Sequence, residues 1–312
     1  MKQFSPKNPE EFDFSEIIYE KSSWIATITI NRPEVYNAYS IITLQEMICA
    51  LQDASWDDEI AVIVITGAGE KAFCTGGDVK EYASEFIPRP KEFYKWMGVF
   101  IQFHDLLANC GKPTIARLNG MVVGGGNEIN MSCDLAVAAE HVTIRQVGTS
   151  IGSVAAGGAT QFLPITVGDR RAREMLLLNE PIDAQKALDW GLVNYVVPYE
   201  ELDSKVLEVC EKLINKFPEC TRYTKQQVNF WKDFARNMTI GHAKDWLSLH
   251  FDSPETKEGM QSFVEKRPPD YIKIRKQANF KNCKNCGTEN LPQEFNFCGK
   301  CGNILNYANL SK

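Results

Sequence analysis

Asn119-Gly120-Met121-Val122-Val123-Gly124-Gly125-Gly126-Asn127-Glu128-Ile129-Asn130-Met131-Ser132-Cys133-Asp134 reads as a strand end, three glycines in a row, and a helix start with a carboxylate in its first turn. Three consecutive glycines cost backbone entropy in either element, so their use is to let a backbone come very close to something. An N–H there, backed by a helix N-terminus, points partial positive charge at whatever sits in front of it. That is the physics of an oxyanion hole. A glycine-rich turn where a helix packs tightly on a strand explains the same letters.

A second stretch has the same form. Ala61-Val62-Ile63-Val64-Ile65-Thr66 reads as a buried strand, followed by Gly67-Ala68-Gly69 and then Phe73-Cys74-Thr75-Gly76-Gly77-Asp78. Two strand-to-glycine segments can each offer one backbone N–H to the same oxygen. Working outward, Trp24–Ile30 reads as a β-branched strand, and Ser40 as the cap of a helix that begins at Ile41. A polar segment, Ser84 to Pro90, precedes a helix carrying Phe93, Trp96, Met97, Phe100 and Phe103. Thr114–Leu118 and Leu135–Ala139 are strands flanking the glycine element, and from Asp169 onward the chain is nearly all helical apart from 194–197. The recurring strand, strand, helix rhythm predicts an α/β domain with helices covering sheets.

At 312 residues the chain suits one large domain plus an appendage. A net charge of −6 gives no global field for nucleic acid or an anionic membrane. No apolar run reaches the roughly 20 residues of a membrane span. Met1-Lys2-Gln3-Phe4-Ser5-Pro6 lacks the apolar core of a signal peptide. Of the ten cysteines, Cys49, Cys74, Cys110, Cys133, Cys210 and Cys220 are scattered, which reads as reduced residues of a cytoplasmic protein. Residues 1–14 read as a loose lead-in, 15–271 as the main domain, 272–282 as a basic linker and 283–312 as a separate tail.

That tail holds Cys283-Lys-Asn-Cys286-Gly287 and Cys298-Gly-Lys-Cys301-Gly302, two C-x-x-C-G knuckles with eleven residues between them. Each knuckle puts two thiolates on one turn, and two turns complete a tetrahedral, all-thiolate zinc site. A redox C-x-x-C is the competing reading, but redox motifs do not come as symmetric pairs on a short tail. The tail is too short for a core of its own, so structural zinc is expected to fold it.

The segments KAFCTGGDVKEY (71–82), NGMVVGGGNEINMSCDLAVAAE (119–140) and EGMQSFVEKRPPDY (258–271) resemble the crotonase, or enoyl-CoA hydratase/isomerase, superfamily over about residues 15 to 275. The resemblance implies a right-handed spiral of ββα turns with a helical C-terminal part. It implies two peptide N–H groups, Gly77 and Gly125, that bind the thioester oxygen of an acyl-CoA and stabilise its enolate. It assigns Asn37, Ala38 and Lys80 to the coenzyme A side. Phe263 and Lys266 match positions that reach the nucleotide from a neighbouring subunit, implying a homotrimer or a hexamer. Phe263 as core and Lys266 as a surface charge are the plain alternatives. The family pattern does not include the cysteine ribbon.

Hydratases of the superfamily use two glutamates to add water across a double bond. The first matches Glu128, which also reads as a helix cap; the second falls at Gly148, so half of the acid/base pair is missing. Asp78, Tyr82, His104, Ser150, Ser153 and Gln161 are candidate replacements by proximity to the motifs, and a glycine at 148 leaves room for a water or small anion. FCTGGDVKEYA, GSVAAGGATQFLP, LINKFPEC and KDWLSLH resemble 6-oxocyclohex-1-ene-1-carbonyl-CoA hydrolases, with dihydroxynaphthoyl-CoA synthases next. This implies hydration and hydrolytic ring cleavage of a cyclic oxo-enoyl-CoA in anaerobic aromatic degradation. Gln161 stands where those hydrolases carry an acid. An ordinary enoyl-CoA hydratase or isomerase, and a non-catalytic binding protein using the zinc ribbon, are the other classes.

Overall fold

The β-branched runs become strands, and the glycine-rich ends carry the chain from one sheet to a second. The computed structural model describes residues 5–277, 281–289, 291 and 295–305. The parts of the expected lead-in, linker and tail at 1–4, 278–280, 290, 292–294 and 306–312 lie outside them. The strands are β1 (Ile17–Ser22), β2 (Ile25–Ile30), β3 (Val62–Gly67), β4 (Ala72–Cys74), β5 (Thr114–Leu118), β6 (Met121–Val123), β7 (Leu135–Ala139), β8 (Thr143–Arg145), β9 (Ile182–Asp183) and β10 (Tyr195–Val197). One sheet runs β1-β2-β3-β5-β7-β10 and the other β4-β6-β8-β9. Each turn of the chain thus places its first strand in one sheet and its second in the other: β3 then β4, β5 then β6, β7 then β8. This is the expected α/β spiral of ββα turns.

Central strand β3 is buried at every residue, as a parallel strand covered on both faces must be. Helix α1 (Ile41–Trp56) starts where Ser40 predicts, the hydroxyl accepting the amides of Ile42 and Thr43. A short helix α2 (Val79–Glu81) runs into a wider π-type turn, Tyr82–Phe86, and then α3 (Pro90–Asn109) packs along α1. The polar composition of Ser84–Pro90 predicts an interruption, yet its first residues stay helical. The reason is tertiary: Tyr82 and Phe86 are buried against Phe93 and Trp96. Strand β1, antiparallel to β2, has no counterpart in the sequence reading, because only alternate residues of its edge position are buried.

Helix α4 (Gly125–Ser132) follows β6, and α5 (Ala159–Val167) follows the loop after β8. The C-terminal part then comprises α6 (Asp169–Arg173), α7 (Ala184–Asp189), α8 (Leu202–Ile214), α9 (Pro218–Val228), α10 (Phe230–His250) and α11 (Pro254–Val264). The chain divides into two compact units, Met1–Val264 and Glu265–Lys312. In the second unit, residues read as a basic linker contribute to a helix, α12 (Tyr271–Gln277). Among the described residues no helix is long and apolar enough to cross a membrane.

Candidate active site

Strands β4 and β6 are parallel hydrogen-bonded neighbours, so the glycines that follow them arrive side by side. A Cβ built on Gly76 would lie 3.0 Å from the Gly125 nitrogen and 3.2 Å from the Val123 oxygen. The N–H groups of Gly77 and Gly125 donate to no acceptor among the described residues. Gly125 is the first residue of α4, where an amide has no intrahelical acceptor. The three glycines of the motif do different jobs. Gly124 takes φ +54°, a left-handed backbone region that side chains rarely adopt. A side chain on Gly126 would strike the Cys74 carbonyl, so this residue lets α4 pack on β4. The tight packing falls on Gly126, while the adjacent Gly125 keeps an N–H without an acceptor among the described residues.

Two tyrosine hydroxyls stand over this pair. A side chain on Gly125 would collide with the Tyr39 hydroxyl, and one on Gly77 with that of Tyr82. Both tyrosines are buried, and neither hydroxyl has a hydrogen-bond partner among the described residues. Burial raises both phenols well above their usual range, and each also acts on the other or on shared acidic neighbours. Their walls are aromatic. Tyr39 lies parallel to Trp96 and Phe100 with centroids 6.4 and 6.0 Å away, and Tyr82 meets Trp96 edge-on at 5.0 Å. Phe93 stacks on Phe251 at 3.7 Å and on Trp96 at 5.3 Å.

Glu128, on α4, is 3% exposed. Its Oε1 accepts the Ala159 amide at 3.1 Å, at the N-terminus of α5. Burial pushes its carboxyl up to about 7, against the opposing pull of the Ala159, Gly157 and Gly158 amides and the charge of Arg236. Among the described residues it is the one carboxylate whose charge acts on both Tyr39 and Tyr82. The arrangement puts two free N–H donors, two hydroxyls and a carboxyl balanced near neutrality in one apolar enclosure.

An enoyl-CoA hydratase/isomerase family model matches residues 20–274. The chain belongs to the enoyl-CoA hydratase/isomerase family. It is similar to the solved structure of an enoyl-CoA hydratase from Mycobacterium avium subsp. paratuberculosis, at 26% identity and TM-score 0.75, covering 82% of this chain and 98% of that one. An enoyl-CoA hydratase from Bacillus anthracis is 29% identical with TM-score 0.67, over 82% and 99% of the two chains. DspI from Pseudomonas aeruginosa is 30% identical with TM-score 0.67, over 83% and 98%. The protein is accordingly an acyl-CoA enzyme of the enoyl-CoA hydratase/isomerase type.

The other candidates of this family member fall into separate places. Asp78 caps α2 and pairs with Arg32 at 3.0 Å, so its carboxylate is committed. Asn37 is buried, its Nδ2 donating to the carbonyls of Ala68 and Ala72 and its Oδ1 accepting the Arg32 amide. Both Nδ2 protons are thus committed to the protein's own backbone. The Ala38 carbonyl accepts an Arg32 N–H at 2.5 Å, while Lys80 is exposed. Phe263, on α11, is 56% exposed and so is not a core residue of its own unit; Lys266 is exposed in the second unit.

Gly148 lies in the loop after β8. A Cβ there would lie 3.0 Å from the Ser153 carbonyl oxygen and 3.4 Å from the Ala155 nitrogen. The Cβ direction of this position is backed by the loop that leads to α5. Ser150 donates to Val147, and the Ser153 amide to Gly148. Gln161 is hydrogen-bonded to Thr160 and Thr239 and lines a cavity of about 590 Å³ between α5 and α10. Residues the sequence reading missed are Tyr39, Gly157 and Arg236. The Gly157-Gly158 pair ahead of a helix was the available signal for the second.

The family match stops short of the four cysteines. Their sulfurs all lie within 4.8 Å of one another, with Cys283–Cys301 and Cys286–Cys298 each at 3.6 Å. A tetrahedron with Zn–S bonds of ~2.3 Å has edges of ~3.8 Å, so the group has the size for that metal.

Proposed function

We propose that the thioester oxygen of an acyl-CoA is held between the Gly77 and Gly125 amides, with Glu128 as the sole acid/base carboxyl and the acyl group among Tyr39, Tyr82, Trp96 and Phe100. The observation that carries this reading is the convergence of two unpaired N–H groups beside a carboxyl near neutrality. As charge develops on the oxygen, the two preorganised donors stabilise it with no reorganisation. The finer reading is hydration and hydrolytic ring cleavage of a cyclic oxo-enoyl-CoA of the 6-oxocyclohex-1-ene-1-carbonyl type. Glu128 delivers water to the ring double bond; a second water attacks the ring ketone, and the bond to the thioester α-carbon breaks. The electron pair of that bond becomes the enolate on the same oxygen and is then protonated. The flat aromatic walls, and the lack among the described residues of a second carboxylate acting on both tyrosines, support a cyclic, oxygenated acyl group over a simple enoyl chain.

Ordinary hydration is the second reading, favoured by the names of the similar structures. Mass spectrometry on 6-oxocyclohex-1-ene-1-carbonyl-CoA beside crotonyl-CoA separates them. Gain of two waters by the cyclic ester, with little turnover of the other, supports ring opening. One-water addition to crotonyl-CoA alone supports the hydratase, and no turnover of any CoA ester supports a binding protein. We also infer one structural zinc on Cys283, Cys286, Cys298 and Cys301. A homotrimer or hexamer is supported by the large apolar residues exposed on α10, among them Trp231, Phe234 and Met238.

A further inference from the structure

Tyr82 opens the π-type turn that follows α2, its amide bonded to the Asp78 carbonyl and its carbonyl accepting the Ile87 amide. Such turns are rare and are found frequently at functional sites. Four rings hold the side chain. Trp96, Phe93 and Phe251 meet it edge-on with centroids at 5.0, 5.7 and 5.9 Å, and Phe86 lies tilted at 6.1 Å. The phenol emerges from that cage against Gly77, where a Cβ would collide with the hydroxyl and with the ring behind it. The glycine therefore leaves space for this hydroxyl, which has no hydrogen-bond partner among the described residues.

A buried O–H without an acceptor carries a desolvation penalty, so one held this firmly is a donor awaiting a molecule from outside the chain. Other groups that could stand in for the missing glutamate are engaged elsewhere. Asp78 pairs with Arg32, Ser150 donates to Val147, Gln161 bonds Thr160 and Thr239, and His104 meets the Ser132 hydroxyl at 3.1 Å. Tyr82 is not engaged, and the charge of Glu128 acts on it. Burial, then the charges of Glu81, Glu128 and Asp78, keep the phenol protonated, so it donates.

We propose that the Tyr82 hydroxyl is a catalytic donor to a second oxygen on the acyl group, the β-oxo oxygen of a 3-oxoacyl thioester, while the Gly77 and Gly125 amides hold the thioester oxygen. The proposal rests on the oxyanion reading of those two amides. In a 3-oxoacyl thioester one carbon separates the two carbonyls, so with both oxygens on one side they lie about a hydrogen-bond length apart. A hydroxyl in contact with Gly77 stands beside the donor of the first oxygen, where the second arrives. Water attacks the β-carbonyl carbon and gives a proton to Glu128. The π pair of that carbonyl moves onto its oxygen, and the phenol stabilises the alkoxide while keeping its own proton. The alkoxide pair then re-forms a carbonyl, the bond to the α-carbon breaks with its pair entering the thioester enolate, and the α-carbon takes the proton back from Glu128. A simple enoyl chain has no oxygen for this donor.

The test compares 2-oxocyclohexane-1-carbonyl-CoA with cyclohexane-1-carbonyl-CoA, which differ in the β-oxygen, on full-length wild type and Tyr82→Phe. Phenylalanine keeps the ring in its cage and removes only an unpartnered hydroxyl, and melting temperatures and near-ultraviolet spectra check the fold. Wild type should bind the oxo ester more tightly in titration calorimetry, and Tyr82→Phe should reduce that preference about tenfold. Cleavage of the oxo ester, followed by mass spectrometry, should fall about 100-fold or more in kcat/KM. If wild type opens the ring and Tyr82→Phe does so with the same kcat/KM, the proposal falls and the ring-cleavage reading stands. If wild type leaves the ring intact, binding decides. A preference that drops in Tyr82→Phe then keeps the donor and removes ring cleavage, whereas no preference, or one unchanged in the variant, overturns the donor. Loss in Tyr82→Phe beside full activity in Gly125→Pro would keep the donor and remove the oxyanion reading.

Discussion

Glu128→Gln keeps the shape of the side chain and removes its charge, so it reads stability and catalysis in one protein. Burial lifts this carboxyl from 4.5 to about 7, over the lowering effects of the Ala159, Gly157 and Gly158 amides and of Arg236. The folded state therefore prefers the protonated form. Its contribution to stability is complete below 4.5 and is lost as pH rises through about 7. At roughly 1.4 kcal/mol per pH unit, the gap between 4.5 and about 7 is worth about 3 kcal/mol. Glutamine does not ionise, so the stability of the variant relative to wild type should climb by about 3 kcal/mol across that window. In a domain of this size the climb is a change of roughly 6–12 °C in the difference between the two melting temperatures. Calorimetry of both proteins from below 4.5 to above 7 measures it, and effects of all other groups cancel in the difference. A difference that stays flat across the window would refute the burial argument. The same substitution should lower turnover by about 100–10,000-fold, the usual contribution of a general acid or base.

Gly125→Pro removes an oxyanion donor and should cost about 100–1000-fold in rate; activity within about tenfold of wild type would take Gly125 out of the mechanism. Gly125→Ala should also be impaired, because its methyl meets the Tyr39 hydroxyl, and Tyr39→Phe should recover part of that loss. Equal activity of the single and double variants would show that the hydroxyl is not what the glycine accommodates. Elemental analysis of the reduced protein should find one zinc per chain, lost in Cys283→Ser with Cys301→Ser, and a zinc-free preparation would disprove the ribbon assignment.

Many of the strands and helices were legible because their signals are local, while the spiral came from the family resemblance. Ser40 caps a helix with its own side chain, β3 is apolar at every position, and the glycine runs mark where strands end. Glu128, Gly77 and Gly125 were named by the match of short motifs to the family pattern. What only the tertiary structure decided is which groups meet. Gly157 lies beside His104 and Glu128 because α3, α4 and the loop into α5 converge there, and no periodicity relates those three positions. Asn37 and Asp78 looked available in the sequence, yet the fold spends one on the carbonyls of Ala68 and Ala72 and the other on Arg32. The backbone that a Cβ on Gly148 would meet, at Ser153 and Ala155, comes from a later stretch of the same loop. A sequence states what a side chain can do, but burial and partners determine what it is free to do, and both depend on contacts between residues far apart in the chain.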